Sequence, residues 1–337
     1  MSLQKLTKLY LPAIENELRQ VVDSASGTHF AGLSEMMTYH MGWEGQGAGA
    51  KARGKRVRPM LVLLTTVAAG GKWQQALPAA AAVELVHNFS LIHDDIEDNS
   101  SLRRGRPTVW KKWGLAQAIN TGDAMFSLAH LALLRLDETL SPRIILEAAV
   151  ILQQTCLHLT QGQYLDISYE NRSNLSVADY WPMVRGKTAA LLTTCTELGA
   201  LIAESNYETR ATYRRFGFNL GLAFQALDDY LGIWGNAAQT GKSVASDLLE
   251  GKKSLPVLYG LEQDGDFATR WAKGPIPPGE VSKISAQLEA EGARTYTHNE
   301  ARRMTQQALQ ALEDAGPRGD AGEALFELTN KLMQREI

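Results

Sequence analysis

Two short stretches concentrate the carboxylates of this chain. SLIHDDIEDNS carries Asp94, Asp95 and Asp98, and AFQALDDYLGIWG carries Asp228 and Asp229. Around the first, Glu84, His87, Leu91, Asp94 and Asp98 step by three and four residues. On an α-helix that spacing makes one stripe, with Asp95 about 100° round the axis. Like charges four residues apart destabilise a helix, and carboxylates at its C-terminal end oppose its dipole. A bound cation removes both objections. Oxygen ligands without a His/Cys set suit a hard ion, and Mg²⁺ typically pairs one or two carboxylates with phosphate oxygens. The plainer explanation is a solvated acidic helix end, with His87 a hydrogen-bonded core histidine. The neighbouring cations weigh against it. Arg103, Arg104 and Arg106 follow directly in SLRRGRPTVW, and Lys55, Arg56 and Arg58 lie upstream in GKRVRP. Arginine forks match phosphate oxygens, and lysine acts as a point charge. Carboxylates for Mg²⁺ beside cations for anions describe a diphosphate site.

In the second stretch Gln225, Asp228 and Asp229 occupy i, i+3 and i+4, among Leu222, Phe224, Leu227, Tyr230, Leu231, Ile233 and Trp234. Paired carboxylates in so apolar a helix are costly without a cation or strong hydrogen-bond partners. Lys187 and Thr188 stand together in VRGKTAALL, and Lys242, Lys252 and Lys253 follow the second pair. Gly232 takes the place that corresponds to Asp98 in the first stretch. The expected consequence is weaker metal affinity rather than different chemistry.

Positioning these residues requires helices. Leu3, Leu6, Leu9, Tyr10, Ile14 and Leu18 recur at helical spacing, and further helices fit 60–70, 78–98, 114–137, 143–169, 177–204 and 207–234. Pro78 suits a helix start. The Gly-rich stretch 42–59 lacks the phosphate-loop spacing and a preceding strand. Residues 235–256 read as a mobile loop with a short helix, 273–282 as a Pro-rich break, and two helices close the chain. No strand-like alternation persists and no solenoid period appears. The expectation is one all-α domain over residues 1–337.

Composition sets the outer bounds. A formal net charge of -3 argues against a nucleic-acid binder. No run of about 18 uncharged apolar residues occurs, so no membrane span is expected, and the N-terminal text lacks a signal-peptide core. Cys156 and Cys195, the only two cysteines, suit a reducing cytoplasm better than a disulfide framework.

Together these residues resemble the trans-isoprenyl diphosphate synthases, or polyprenyl synthetases. The resemblance runs from about Lys51 to Tyr259 through GKRVRP, ELVHNFSLIHDDIEDNSSLRRGRPT, GQYLD, GKTA, FQALDDYLG and TGKSVASDLLEGKKSLP, in family order. It implies an all-α isoprenoid synthase fold with helices around a deep cavity, and Mg²⁺-dependent condensation of isopentenyl diphosphate with an allylic diphosphate. It implies that Asp94, Asp95, Asp98, Asp228 and Asp229 hold Mg²⁺, three ions with substrate bound, against the allylic diphosphate. Arg103, Lys187, Thr188, Gln225, Lys242 and Lys252 would contact that substrate, and Lys55, Arg58, His87 and Arg104 would bind isopentenyl diphosphate. A homodimer is expected on the same ground.

Phe89 and Ser90 lie one to two turns before Asp94, and an aromatic followed by a small residue there resembles a geranylgeranyl (C20) maker. A farnesyl (C15) synthase is the alternative. A class I terpene cyclase would need NDxxSxxxE from Asp228 onward, where this chain has Gly232 and Asn236. A non-catalytic regulatory subunit of a prenyl synthase would be expected to have lost some of these aspartates or cations.

Overall fold

The computed structural model describes residues 1–235 and 245–333. The chain is all-α, as its periodicity implies. Helices run α1 (Leu3–Ser24), α2 (Ala31–His40), α3 (Ala50–Arg53), α4 (Val57–Ala68), α5 (Leu77–Glu97), α6 (Val109–Trp113), α7 (Leu115–Leu134) and α8 (Pro142–Glu170). They continue as α9 (Val177–Val184), α10 (Ala190–Ile202), α11 (Tyr207–Trp234), α12 (Ser246–Leu249), α13 (Leu255–Glu262), α14 (Asp266–Trp271), α15 (Val281–Ala290), α16 (Ala293–Asp314) and α17 (Gly319–Met333).

The contacts divide the chain into two compact units. The first comprises residues 1–154, 194–211 and 316–325; the second comprises 155–193, 212–315 and the remaining C-terminal residues. In the first, α1 buries the face carrying Leu6, Tyr10, Ile14 and Leu18 that its spacing announces. At its centre α5 packs against α4 and α7. The run Ala79–Ala82 is fully buried, and these small side chains allow the close approach. On α7, Gly122 leaves room for the His93 ring of α5, which a Cβ would meet at 2.3 Å. In the second unit, Ile233, Ala245, Leu248, Val257, Phe267, Ile284 and Leu288 form a core cluster.

Four features depart from the sequence reading. The helix expected over 177–204 is interrupted by a π-helical turn at Arg185–Ala189. A Cβ on Gly162 would lie 2.1 Å from the backbone N of Lys187, so that turn is held against α8 by a contact only glycine permits. A two-residue antiparallel hairpin pairs Leu102–Arg103 with Arg106–Pro107. Three helices rather than two close the described chain, because Gly292 at φ 92 separates α15 from α16. Two helices that the periodicity did not announce, α13 and α14, follow the short α12. Among the described residues no helix is long and apolar enough to cross a membrane.

Candidate active site

In the first unit the acidic residues sit where α5 ends. Asp94 and Asp95 are in its last turn, Asp98 is the C-cap, and Asn99 at φ 52 stops the helix. The chain then turns through Arg104 (φ 54) and Gly105 (φ 77). Two successive positive φ values are the signature of a tight hairpin turn whose twist matches its strands. This reversal returns Arg103 to the helix end, where its Nε donates to Asp95 Oδ1 at 2.8 Å and its Nη2 lies 3.9 Å from Asp94 Oδ2. Asp95 is buried, and its other oxygen, Oδ2, has no hydrogen-bond partner. Burial pushes its carboxyl up to about 6 against the pull of Arg103, with Asp94 and Asp98 adding to the rise.

A small recess, partly open to solvent, is lined by His40, Asp95, Arg103, Arg104 and Arg106, with Tyr39, Ala52 and residues 107–109 completing it. Its cations differ in kind. Arg106 is spent on the fold: it donates to the carbonyls of Tyr39, Glu44 and Gln46 and stacks 3.9 Å over the Tyr39 ring. Arg56 is likewise spent, paired with Glu15 and Glu84 at 2.8 Å each. Arg104 makes one backbone contact, to Ala52 O at 2.7 Å, and lies against Gly54, where a Cβ would touch its guanidinium. Arg58 Nε is buried without a partner, and Lys55 is exposed. Burial holds Arg58 and Arg104 below the usual arginine range. His87 is pushed well below the ordinary histidine value by burial, then by Arg58 and Arg104. His40 falls to about 3 through burial and four surrounding arginines, and its Nε2 is an orphaned buried atom. Nothing in the sequence around His40 singles it out; only the fold places it in the recess. Such a crowd of positive charge suits a polyanion.

Phe89, further back along α5, meets Phe126 of α7 edge-on at 5.0 Å and His93 at 5.5 Å. Ser90 Oγ is folded back onto His87 O at 2.8 Å.

The second unit holds the other carboxylates on α11. Asp229 is buried and fully engaged. Tyr180 OH on α9 and the Leu255 amide at the start of α13 donate to Oδ2 at 2.7 and 2.8 Å, and Gln225 Nε2 donates to Oδ1 at 2.8 Å. The Leu255 amide is one of the helix N-terminal donors that need an acceptor. Burial pushes Asp229 up to about 7, the charge of Asp247 adds to this, and the three donors pull it back. Thr188 Oγ1 donates to Gln225 Oε1 at 2.7 Å, so the π-turn residue and the α11 stripe share one network. Lys187, in the same turn, is ion-paired with Asp166 of the GQYLD stretch. A π turn in a helix frequently marks a functional position. Lys253 is spent on the carbonyls of Tyr169, Glu170 and Arg172 near the end of α8, whereas Lys252 is exposed and lies 2.9 Å from Glu250. Lys242 lies outside the described residues.

Among the described residues no three His, Cys, Asp or Glu side chains converge as a ready-made metal cage. Mg²⁺ typically takes one or two carboxylates and completes its octahedron with water and phosphate oxygens. The unpartnered Asp95 Oδ2 is where such an ion fits.

The family model described as polyprenyl synthetase matches residues 48–274. A geranylgeranyl diphosphate synthase from Mycobacterium tuberculosis is 40% identical over 312 residues, covering 90% of this chain and 87% of that protein. A (2E,6E)-farnesyl diphosphate synthase of the same organism is 37% identical, covering 90% and 86%. Among solved structures, a geranylgeranyl pyrophosphate synthetase from Pyrococcus horikoshii superposes with a TM-score of 0.90 at 31% identity, covering 99% and 98%. A polyprenyl synthetase from Streptomyces coelicolor gives 0.86 at 36% identity, covering 98% of each. The chain belongs to the polyprenyl synthetase family.

Proposed function

We propose that this protein is a magnesium-dependent prenyltransferase that joins isopentenyl diphosphate to an allylic diphosphate and stops at geranylgeranyl diphosphate, C20. The observation that carries the reading is the buried Asp95 oxygen left without a partner, beside Arg103 and in one recess with Arg104 and His40. Three Mg²⁺ ions, held by Asp94, Asp95, Asp98, Asp228 and Asp229, would neutralise the charge that develops on departing diphosphate. Arg103, Lys187, Thr188, Gln225, Lys242 and Lys252 fix the allylic diphosphate. Lys55, Arg58, His87 and Arg104 bind isopentenyl diphosphate, with His87 neutral and donating rather than charged.

The allylic C–O bond breaks with its electron pair leaving on diphosphate. The isopentenyl double bond attacks the allylic carbon, and the adjacent proton passes to the departing diphosphate, which restores a neutral hydrocarbon chain. Among the described residues the recess offers no carboxylate–histidine dyad for that proton, and both histidines near it are held neutral by burial and then by their arginines. The Phe89–Phe126 pair limits the growing chain. We further propose a homodimer in a reducing cytoplasm; Cys156 and Cys195 are buried thiols pushed up to about 11 and 12 by burial, hence inert.

The test is product chromatography with isopentenyl diphosphate and, separately, dimethylallyl, geranyl and farnesyl diphosphate. All three primers are expected to converge on the C20 diphosphate. Termination at C15 supports the farnesyl alternative, and no turnover with any primer supports a regulatory subunit.

A further inference from the structure

We infer that His40 is a further substrate-binding residue, whose Nε2 hydrogen-bonds the diphosphate of isopentenyl diphosphate in the recess beside Arg104. The inference rests on the prenyltransferase reading above and extends its isopentenyl set by a residue that no sequence motif marks.

The imidazole is placed by its neighbours rather than by bonds of its own. His40 is the last residue of α2. On one side, Tyr39 O accepts from Arg106 Nη1 at 2.7 Å, and the Tyr39 hydroxyl donates to Pro107 O at 2.9 Å. The Arg106 guanidinium covers the Tyr39 ring. On the other side, the Met41 amide closes the helix onto Met37 O at 2.9 Å, and Met41 O accepts from Arg56 Nη2 at 3.3 Å. The following turn is equally tight. A Cβ on Gly42, at φ 75, would lie 2.5 Å from the carbonyl carbon of Ala52, and one on Gly45, at φ 79, would lie 2.8 Å from the Tyr39 ring. The backbone on both sides of His40 is therefore fixed, and the ring it carries lines the recess with Arg103 and Arg104.

In that position Nε2 is buried and has no hydrogen-bond partner among the described residues. A buried polar atom left in this way is costly, and in folded proteins such atoms are paired. The surrounding groups decide which partner fits. Burial, and then Arg103, Arg104, Arg56 and Arg106, hold the ring neutral. A neutral imidazole has one N–H to donate. Among arginines the matching acceptor is an anion, because the guanidinium groups attract the same ligand. Arg104 has the same need: it donates once, to Ala52 O at 2.7 Å, which leaves most of its guanidinium donors for a ligand. His87 is influenced by Arg58, Arg104 and Arg103 and, after them, by His40. His40 therefore stands within the group assigned to isopentenyl diphosphate. The recess is small, so it takes oxygens at one end of the diphosphate while the hydrocarbon stays outside.

The test is steady-state kinetics with each substrate varied in turn, for wild type, His40→Asn and His40→Gln. Calorimetric titration of isopentenyl diphosphate into each free protein, and its Tm, are measured alongside. The Gln amide nitrogen reaches as far as Nε2, whereas the shorter Asn amide reaches only as far as Nδ1. His40→Asn is expected to raise KM and Kd for isopentenyl diphosphate about tenfold, the scale of one hydrogen bond to a charged group. Its KM for the allylic diphosphate is expected to change by less than about twofold. His40→Gln is expected to recover most of the loss. A side chain that only packed would shift Tm without this dependence on substrate and on side-chain reach. Unchanged KM and Kd for isopentenyl diphosphate in His40→Asn, in a wild type that turns over, overturn the inference alone. So does an equal rise in KM for both substrates, or a His40→Gln variant no better than His40→Asn. A wild type that neither binds isopentenyl diphosphate nor turns over overturns the functional reading and this inference together.

Discussion

The two acidic stripes differ in construction. The first is local: Asp94, Asp95 and Asp98 all come from one helix end, and Arg103 reaches them from a hairpin a few residues later. The second is assembled from distant pieces. Asp229 ties α11 to α9 and to the start of α13 through Tyr180 and Leu255, and Asp247 enters from α12. The difference teaches that a carboxylate pattern reports a site only when its partners are close in sequence. Where they are not, an aspartate of an apparent pair also ties elements together, as Asp229 ties α11 to α9 and α13.

The comparison can be broken first by rate. Asp94→Ala and Asp228→Ala are each expected to lower kcat by roughly 10³-fold, the scale of losing charge stabilisation for a leaving group, as steady-state assays would show. Equal stability losses at both stripes would contradict the difference in construction. Asp229→Ala strands the Tyr180 hydroxyl and the Leu255 amide, each a buried donor whose loss of a partner costs about 1–3 kcal/mol. Denaturant unfolding should therefore show a loss of about 3 kcal/mol there. Asp94→Ala, whose arginine is 3.9 Å away and partly exposed, should lose no more than about 1 kcal/mol.

A third contrast lies behind the first stripe. Phe89→Ala removes an edge-on partner of Phe126, so products longer than C20 are expected by chromatography; an unchanged product would show that Phe89 only packs.

The smallest effect is in pH. His40 and His87 are held neutral in the folded protein, below the unfolded value of about 6.5. Below that pH the unfolded chain binds more protons, so stability falls as pH drops from about 6.5. Asp95 and Asp229, raised to about 6 and 7, work the other way: the folded state holds their protons more tightly, so their contribution falls as pH rises through 4 to 7. They are common to wild type and His40→Asn, so comparing the two isolates His40. In metal-free melts between pH 6.5 and 4, the variant should lose Tm less steeply than wild type.

Much of this was legible before any coordinates. The helices, the Asp94–Asp98 spacing and the cation-rich flanks follow from periodicity and side-chain chemistry. Residue type could not separate Arg104 and Arg58 from Arg106 and Arg56, because the distinction is which carbonyls and carboxylates claim each guanidinium. Lys253 differs from Lys252 in the same way. His40 and Tyr180 were invisible because each is brought to its place by contacts far along the chain. The π turn at Lys187 had a trace in the text, since Gly162 and Gly186 are the glycines that let the two backbones meet. Gly232 was visible as a place without a carboxylate, but not that a Cβ there would meet the Asp247 carboxylate at 2.3 Å.

The most direct test follows allylic diphosphate consumption as Mg²⁺ is titrated, with and without isopentenyl diphosphate. The account predicts that consumption requires both and yields only a longer prenyl diphosphate plus diphosphate. Consumption independent of Mg²⁺, or release of a hydrocarbon without isopentenyl diphosphate, would contradict it.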